Sequence, residues 1–248
     1  MEQISHNPQS MVFVRVNNKK RVSYQFAKRL LDVTIVSLSL LLLAPLMLLL
    51  MLLVKLDSPG PAIFVQKRIG AKRRFDGKNY YWEQVPFSIY KFRTMKVDSK
   101  ATIHYEFMKA YISGDEAALT CIRAKMKAEK EKYKLTNDPR ITRIGLFLRK
   151  TSLDELPQLI NVLKGEMSIV GPRPPIPYEV EMYKQWHHQR LEAVQGITGL
   201  WQVEGRSATT FDEMVRLDLD YIEKQSLWLD IKLMLLTIPV AIVGKGAR

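Results

Sequence analysis

The amino-acid sequence predicts a membrane-associated α/β fold with a re-entrant N-terminal membrane helix, a mainly helical globular domain containing a small β-hairpin, and interfacial amphipathic helices. The first observation behind this prediction is an uncharged run of 22 residues from Val33 to Val54, about the length that crosses a hydrocarbon core of about 30 Å. The second is the length of 248 residues, 47% hydrophobic and 25% charged, which suffices for one sizeable domain. The third is the net charge of +13, which indicates an anionic partner such as a membrane surface, a phosphorylated small molecule or nucleic acid.

The apolar run is predicted to be retained and to enter and leave the membrane on the same side. No small-residue cleavage site follows Val54, so a cleaved signal peptide is not expected. Basic residues flank the run on both sides, and the positive-inside rule then places both ends in the cytoplasm. Pro45 lies near the middle, where it removes a backbone donor and clashes with the carbonyl of Leu41. A helix broken at Pro45 can turn back, although a plain or kinked spanning helix fits the same residues.

The part that follows begins at a turn cluster, residues 57–61. Two short strands, 62–66 and 87–92, are predicted to pair as a hairpin with a charged loop between them. Residues 101–134 are rich in Ala, Lys, Glu and Met and are predicted to form one or two solvated helices, interrupted at 113–115. From 221 to 243, apolar runs are mixed with Lys224, Asp230 and Lys232. This pattern is typical of a helix in the membrane interface, and a core helix fits it as well.

An adjacent acidic pair, Asp154-Glu155, stands out in this basic chain. Pro157 is welcome only in the first turn of a helix, so the pair is predicted at or next to a helix start, with apolar spacing continuing to Gly165. A helix start attracts phosphate. The alternative is capping, because Ser152 and Glu155 match the capping-box pattern. Consecutive helical residues point about 100° apart, so two functional carboxylates would have different roles.

Basic residues among glycines and prolines predict an anion pocket near the pair. Arginine binds phosphate oxygens through two parallel N–H groups, and glycine and proline define the loops that present it. The predicted phosphate-binding or substrate-binding residues are Lys91, Arg93, Arg140, Arg149, Arg173 and Arg206.

From about Lys28 to Thr237 the chain carries an ordered series of motifs. They are Lys28-Arg29-Leu30-Leu31-Asp32, Ser58-Pro59-Gly60-Pro61, Lys91-Phe92-Arg93-Thr94-Met95, Asp138-Pro139-Arg140, Ser152-Leu153-Asp154-Glu155-Leu156-Pro157-Gln158, Gly171-Pro172-Arg173-Pro174 and Gly196-Ile197-Thr198-Gly199-Leu200-Trp201-Gln202. With these motifs the chain resembles the bacterial sugar transferases, which are monotopic polyprenyl-phosphate phosphoglycosyl transferases.

The resemblance implies an activity. Members of this family transfer a sugar 1-phosphate from a nucleotide diphosphosugar, usually a UDP-sugar, to undecaprenyl phosphate, with Mg²⁺ and release of UMP. This is the first membrane step of exopolysaccharide, capsule, O-antigen or glycan synthesis. The resemblance implies that Asp154 is the nucleophile, that Glu155 is its partner, and that both lie beside the metal. It adds Gln202 to the substrate-binding residues and identifies Ala44-Pro45 as the break in the membrane helix.

The resemblance also implies an organisation and a location. Residues 1–27 form a basic segment, 28–56 the re-entrant helix and 57–248 a catalytic domain at the cytoplasmic face of the bacterial inner membrane, in contact with its lipid. Residues 71–86 and 101–134 are predicted insertions, and the short N-terminal segment resembles the minimal catalytic form of the family. A second copy of the chain and downstream glycosyltransferases are candidate partners.

Two other classes of function compete with a transferase. A membrane-tethered scaffold with a degenerate site is disfavoured because both acids and the pocket arginines are retained. A nucleic-acid binder is disfavoured because the aromatic residues are not interleaved with the basic ones as a stacking surface requires. His187-His188 lack metal-ligand spacing and are predicted to be solvated. Cys121 is the only cysteine, which excludes a disulfide framework and favours a reducing compartment.

Overall fold

The computed structural model describes residues 14–15, 21–96, 102–122, 124, 140–205 and 210–243. Among these residues, β1 (Val14–Arg15), β2 (Ile63–Phe75) and β3 (Tyr80–Phe92) form an antiparallel sheet in the order β1-β3-β2, and β4 (Ser168–Val170) pairs in parallel with β5 (Gly196–Thr198). The α-helices with defined bounds are α1 (Arg21–Asp57), α2 (Thr102–Ser113), α3 (Arg143–Lys150), α4 (Gln158–Leu163), α5 (Pro177–Glu181), α6 (Phe211–Lys224) and α7 (Leu227–Val243). The domain is mainly helical and contains a hairpin, as the sequence predicts.

Helix α1 contains the apolar run. From Val22 to Asp57 it is long and apolar enough to cross a membrane. It begins at Arg21, earlier than predicted, and is helical at Pro45 and on both sides of it. The predicted break at Ala44-Pro45 is therefore at most a bend, and the re-entrant path stays a prediction.

The two ends of α1 pack on the globular domain, whereas its middle does not. Lys28 and Val36 are buried near one end, and Leu50 and Val54 near the other. Residues 37–49 include none that is buried. Several leucines of this middle part are largely exposed, and Leu42 is 79% exposed. A continuous exposed apolar surface of this kind suits contact with lipid.

The hairpin is much longer than predicted. Residues 71–86, expected to be mostly a loop, continue both strands, with Ala71 opposite Gln84 and Phe75 opposite Tyr80. The tight turn at the tip is stabilised by the carboxylate of Asp76, which accepts the backbone N–H groups of residues 78 and 79. Most of the charged residues that suggested a loop are at least partly exposed on this longer hairpin, whereas Arg68 is buried.

Helix α2 lies in the second predicted insertion. It ends at Ser113, Gly114 has φ of +75°, and residues 116–122 are helical again, so the predicted interruption at 113–115 is confirmed. The prediction of a solvated surface is wrong for α2, because Ile112 is 2% exposed and packs with Phe211 and Val215. Residues 125–139 lie outside the described part of the chain.

Two short helices flank the acidic pair. Helix α3 follows Thr142, whose side-chain oxygen accepts the N–H of Gly145 at 2.9 Å, which satisfies a free donor of the first turn. Helix α4 ends just before Gly165, which has φ of +73° and donates its N–H to the carbonyl of Val162. This glycine is the helix stop that the sequence predicts.

The C-terminal stretch forms two helices, α6 and α7, that meet at residues 225–226. On α7, Asp230 and Leu233 are each 1% exposed, whereas Trp228 is 76% exposed. One side of α7 therefore packs on the core with Val170 and Tyr221, and the opposite side is free to contact the membrane interface. The core-helix alternative is confirmed for one side of α7, and the membrane-interface alternative stays a prediction.

Candidate active site

The acidic pair lies in a turn of its own. Leu153–Glu155 form a single 3₁₀ turn between α3 and α4, and α4 begins only at Gln158. Ser152, before the turn, has φ of 55° and makes no capping hydrogen bond with its side chain. The capping box is therefore absent. A non-glycine residue in the left-handed region indicates local backbone strain, of the kind that gathers at functional sites.

Glu155 is paired with two cations from other parts of the fold. Its Oε1 atom accepts the ammonium of Lys91, from β3, at 2.7 Å and lies 3.8 Å from the guanidinium of Arg173. Burial by itself would raise the pKa of the Glu155 carboxyl, but the charges of Lys91 and Arg173 lower that pKa below its ordinary value. Glu155 is thus held ionised.

Asp154 has the opposite electrostatic environment. Burial raises the pKa of its carboxyl, the charge of Glu155 raises it further, and Lys91 and Arg149 oppose this rise without cancelling it. Neighbours in sequence therefore differ in basicity, as two carboxylates with different roles should.

Arg149 reaches the pair from the last turn of α3. Its Nε donates to the hydroxyl of Thr94 at 3.0 Å, and Thr94 is itself buried. The backbone of Thr94 lies so close to Gly145 that a Cβ there would be 2.2 Å from the Thr94 carbonyl oxygen. Glycine at this position thus lets α3 approach the end of the hairpin and brings Arg149 to Asp154.

The loop carrying Arg173 is held on both sides. Arg68, on β2, donates from NH1 to the carbonyl of Pro174 at 2.9 Å. Arg190 donates to the carbonyl of Arg173 at 3.3 Å and forms a buried ion pair with Asp218 at 2.6 Å. The Arg173 backbone is therefore fixed, while its side chain is 40% exposed.

Arg68 is a functional candidate that the residue-by-residue reading of the sequence missed. It is 8% exposed, and its Nε has no hydrogen-bond partner among the described residues. Burial is the largest cause that lowers the pKa of Arg68, the charge of Arg173 is the second, and the pKa falls to about 10. An unpaired buried cation is costly unless an anion faces it. The place of Arg68 in an alternating strand is the signal that could have selected it.

The other predicted residues lie at varied positions. Arg93 is 4% exposed and donates to the carbonyls of Val54, Ser58 and Pro59, so it ties β3 to the end of α1 instead of facing the pair. The amide of Gln202 is buried without a hydrogen-bond partner in the described part, and its Oε1 lies against Gly199. The carbonyl of Arg140 accepts the N–H of residue 96, and Arg206 lies outside the described residues. Phosphate contacts for these four stay predictions.

The acidic pair provides a minimal donor set for a metal. Among the described residues, no group of three or more His, Cys, Asp and Glu side chains could hold an ion. Mg²⁺ is commonly bound through one or two carboxylates, with substrate phosphates and water completing its shell. Asp154 and Glu155 fit such a shared site and not an all-protein cage.

The prediction that His187 and His188 are solvated is wrong for His187. His187 is 0% exposed, and its Nε2 is 3.0 Å from a carboxylate oxygen of Asp212. Its ring packs among Tyr183, Trp186 and Phe211. His187 therefore belongs to the core beneath α6.

Comparison with known proteins places these observations in a family. The model of the bacterial sugar transferases matches residues 23–244, almost the whole chain. The chain belongs to the bacterial sugar transferase family. It is 42% identical over 92% of its length to a galactosyl transferase, CpsE, of Streptococcus agalactiae, and 40% identical over 93% to an undecaprenyl-phosphate galactose phosphotransferase of Salmonella typhimurium. It spans 45% and 44% of those two proteins. It is also 38% identical to the exopolysaccharide production protein ExoY of Rhizobium meliloti, of which it spans 88%.

Proposed function

We propose that this family member transfers a sugar 1-phosphate from a nucleotide diphosphosugar, a UDP-sugar, to undecaprenyl phosphate. One relative is named a UDP-glucose:undecaprenyl-phosphate glucose-1-phosphate transferase, from Escherichia coli, and is 39% identical over 89% of this chain. The observation that carries the proposal is the acidic pair with opposite pKa shifts, surrounded by Lys91, Arg149, Arg173 and Arg68.

The charges around the pair favour a negatively charged phosphate substrate. Lys91 and Arg149 act on Asp154, and Lys91, Arg173 and Arg68 act on Glu155. Four cations thus act on these two carboxylates, and Glu179 is a further carboxylate that acts on Arg68, so positive charge is in excess among the described residues. A nucleotide diphosphosugar brings a negative charge on each of its phosphates, and arginine side chains bind such oxygens well.

Two displacement steps complete the reaction. In the first, a carboxylate oxygen of Asp154 forms a bond to the phosphorus that carries the sugar, and the bond from that phosphorus to the bridging oxygen breaks, which releases UMP. In the second, a phosphate oxygen of undecaprenyl phosphate attacks the same phosphorus. The bond to Asp154 breaks, and the carboxylate is restored. The two half-reactions predict ping-pong kinetics.

The pKa shifts favour Asp154 over Glu155 as the nucleophile. Glu155 is engaged by Lys91 at 2.7 Å, and its lowered pKa makes it the weaker base. Asp154 has a raised pKa, so its carboxylate is the more basic of the two. Glu155 instead orients Lys91 and Arg173 toward the substrate. A Mg²⁺ ion bound beside the pair would neutralise charge on the phosphate oxygens.

The proposal includes a re-entrant α1 at the cytoplasmic face of the inner membrane. Near one end of α1, Lys28 pairs with Asp230 at 2.9 Å. At the other end, the carboxylate of Asp57 accepts the N–H of Ile144 at 2.9 Å. A spanning helix would separate its ends by a core of about 30 Å, whereas both ends here pack on one globular domain. Basic flanks on both sides agree with a cytoplasmic position for both.

The chemical proposal is tested with Asp154→Asn. We expect it to abolish UMP release from a UDP-sugar plus undecaprenyl phosphate with Mg²⁺, because the amide is a poor nucleophile. Asp220→Asn is the matched control, since Asp220 forms a surface pair with Lys224, and it should keep wild-type turnover. Substantial UMP release by the Asp154 variant would remove Asp154 as nucleophile.

The topology is tested with a tag at each terminus. Both tags should be protected from external protease in intact cells, and cleavage of one alone would restore the spanning helix. A panel of UDP-sugars scored by UMP release would identify the sugar.

A further inference from the structure

The turn that carries the acidic pair packs directly on α1. Leu153 and Leu156, on either side of the pair, belong to an apolar cluster that includes Leu50 and Val54 of α1. Leu50 and Val54 are each 2% exposed, whereas Leu56, at the same end of the helix, is 74% exposed. The acidic pair therefore lies beside the end of α1 whose outward side is apolar and open.

The base of the hairpin is fixed at the same corner. Ala62 and Phe92 belong to that apolar cluster, and the N–H of Arg93 donates to the carbonyl of Ala62 at 2.8 Å. The guanidinium of Arg93 donates to the carbonyls of Ser58 and Pro59 at 2.6 and 2.8 Å. The first residues of β2 thus have a defined position between the end of α1 and the acidic pair.

Phe64, the second residue of β2, lies at this corner on the side of the acidic pair. It is directly opposite Lys91 in the register of β2 and β3. Directly opposite residues of an antiparallel pair have their side chains on the same face, with Cβ atoms about 5 Å apart. The ammonium of Lys91 donates to Glu155 at 2.7 Å. Phe64 is 47% exposed, so an aromatic side chain with open surface lies next to a cation of the candidate active site.

Lys91 is the cation that acts on both carboxylates. Burial raises the pKa of Asp154 and of Glu155, and the charge of Lys91 is the largest influence that opposes this rise in each. An ammonium group carries several N–H donors. Among the described residues the hydrogen bond of Lys91 goes to Glu155, and its side chain is 16% exposed. Donors of Lys91 thus remain for a phosphate oxygen.

We propose that Phe64 binds the isoprene units nearest to the phosphate of the lipid acceptor, while that phosphate contacts Lys91. This inference rests on the proposed transferase function. It makes Phe64 a specificity-determining residue of the second displacement step, in which the acceptor attacks the phosphorus held by Asp154. The corner between α1 and β2 is then the place where the acceptor passes from lipid to the acidic pair.

The chemistry of the acceptor favours this pairing of side chains. A polyprenyl phosphate has a charged head joined through one oxygen to an apolar chain, so it requires a cation with apolar surface beside it, and Lys91 and Phe64 supply both. A single exposed apolar residue is ordinary on a protein surface, and insertion of Phe64 into the bilayer is the competing outcome. Val65 separates the two, because it is 52% exposed but has its side chain on the opposite face of β2.

The first test measures binding without turnover. The full chain in detergent is heated with geranyl phosphate, a short isoprenoid phosphate, or with inorganic phosphate. Geranyl phosphate should stabilise the wild type at lower concentration than inorganic phosphate does. Phe64→Ala should need about tenfold more geranyl phosphate, the loss expected when part of an aromatic side chain no longer buries apolar surface, and should respond to inorganic phosphate as wild type does. Phe64→Leu should keep most of the affinity, and Val65→Ala should equal wild type.

The second test is kinetic. Phe64→Ala should raise KM for undecaprenyl phosphate about tenfold, leave KM for the UDP-sugar unchanged and release UMP normally in the first half-reaction, without acceptor. Equal binding of geranyl phosphate by wild type and Phe64→Ala would overturn the inference, and so would equal losses in Phe64→Ala and Val65→Ala, which would indicate general contact with lipid or detergent. No UMP release by wild type with any UDP-sugar would instead defeat the proposed function, while binding of geranyl phosphate would still decide the role of Phe64.

Discussion

Buried charges occur in this molecule in two contrasting arrangements. Beneath α6, Arg190 and Asp218 form an ion pair at 2.6 Å with side chains 3% and 1% exposed. At the acidic pair, Glu155 and Lys91 are 2.7 Å apart, but their side chains are 25% and 16% exposed, and additional cations lie near them. The first arrangement is balanced in charge and closed to solvent, whereas the second has positive charge in excess and is open.

The contrast indicates how the same residue types serve structure and function. A closed pair has its counter-charge supplied within the fold, so it binds nothing else. An open group with unmatched charge requires a ligand to complete it, because burying a charge without a partner is unfavourable. The closed pair of Arg190 and Asp218 is also connected to the candidate active site, since Arg190 donates to the carbonyl of Arg173.

The largest expected effect comes from breaking the closed pair. Asp218→Ala leaves Arg190 buried without its partner, and we expect the free energy of unfolding to fall by about 3–5 kcal/mol. Urea denaturation followed by circular dichroism measures the change. Replacing both partners, with Arg190→Met and Asp218→Leu, should recover much of the loss. A decrease below about 1 kcal/mol in the single variant would mean that the closed pair behaves like a surface pair.

A change at the open pair should reduce activity and spare stability. Glu155→Gln keeps the shape but removes the charge that orients Lys91 and Arg173, and we expect turnover to fall about 100-fold, in the range seen when one electrostatic group of an active site is removed. The melting temperature should change little, because the side chain is partly exposed. This distinction would be contradicted if Glu155→Gln unfolded the protein and the molecules that stayed folded kept normal turnover.

The smallest expected effect concerns the pair of His187 and Asp212, of which only His187 is buried. His187 is 0% exposed, and its partner Asp212 is 39% exposed. Burial lowers the pKa of His187, although Asp212 opposes this shift and the nearby Lys184 and Arg190 reinforce it. A lowered pKa in the folded state means that the unfolded chain binds the proton more readily, so stability is present above the ordinary histidine pKa of about 6.5 and is lost as pH falls through the folded value.

Thermal unfolding between pH 7.5 and 5 measures this dependence. The wild type should lose stability toward the acidic end, and His187→Gln should flatten the curve there. A curve of equal slope in the variant would assign the loss to other groups.

Local patterns in the sequence were sufficient for several parts of the molecule. The apolar run predicted α1, Gly165 at the end of the apolar spacing predicted the end of α4, and Pro157 placed the acidic pair just before a helix. Each of these depends on interactions within a few residues. They succeed because backbone donors, proline geometry and lipid exposure act locally.

The roles of residues whose partners lie far away in sequence were predicted less well. Arg93 and Arg68 are both basic residues of β-strand motifs, but Arg93 ties down the end of α1, whereas Arg68 supports the loop of Arg173. His187 was expected in solvent and is buried beneath α6. No local signal separates these cases, because the deciding partner of each residue is far away in sequence.

Patterns in the sequence were sufficient to predict a helix long and apolar enough for a membrane, an acidic pair beside a helix start and arginines able to bind an anion. The ordered motifs also identified the family, which comparison with known proteins confirmed. The choice of cations that meet the pair and the opposite pKa shifts of its two carboxyls depend on the tertiary structure. The reason is physical: charge and burial depend on distances between groups in space, and folding sets those distances between residues more than 100 positions apart, such as Arg68 and Pro174 with a separation of 106.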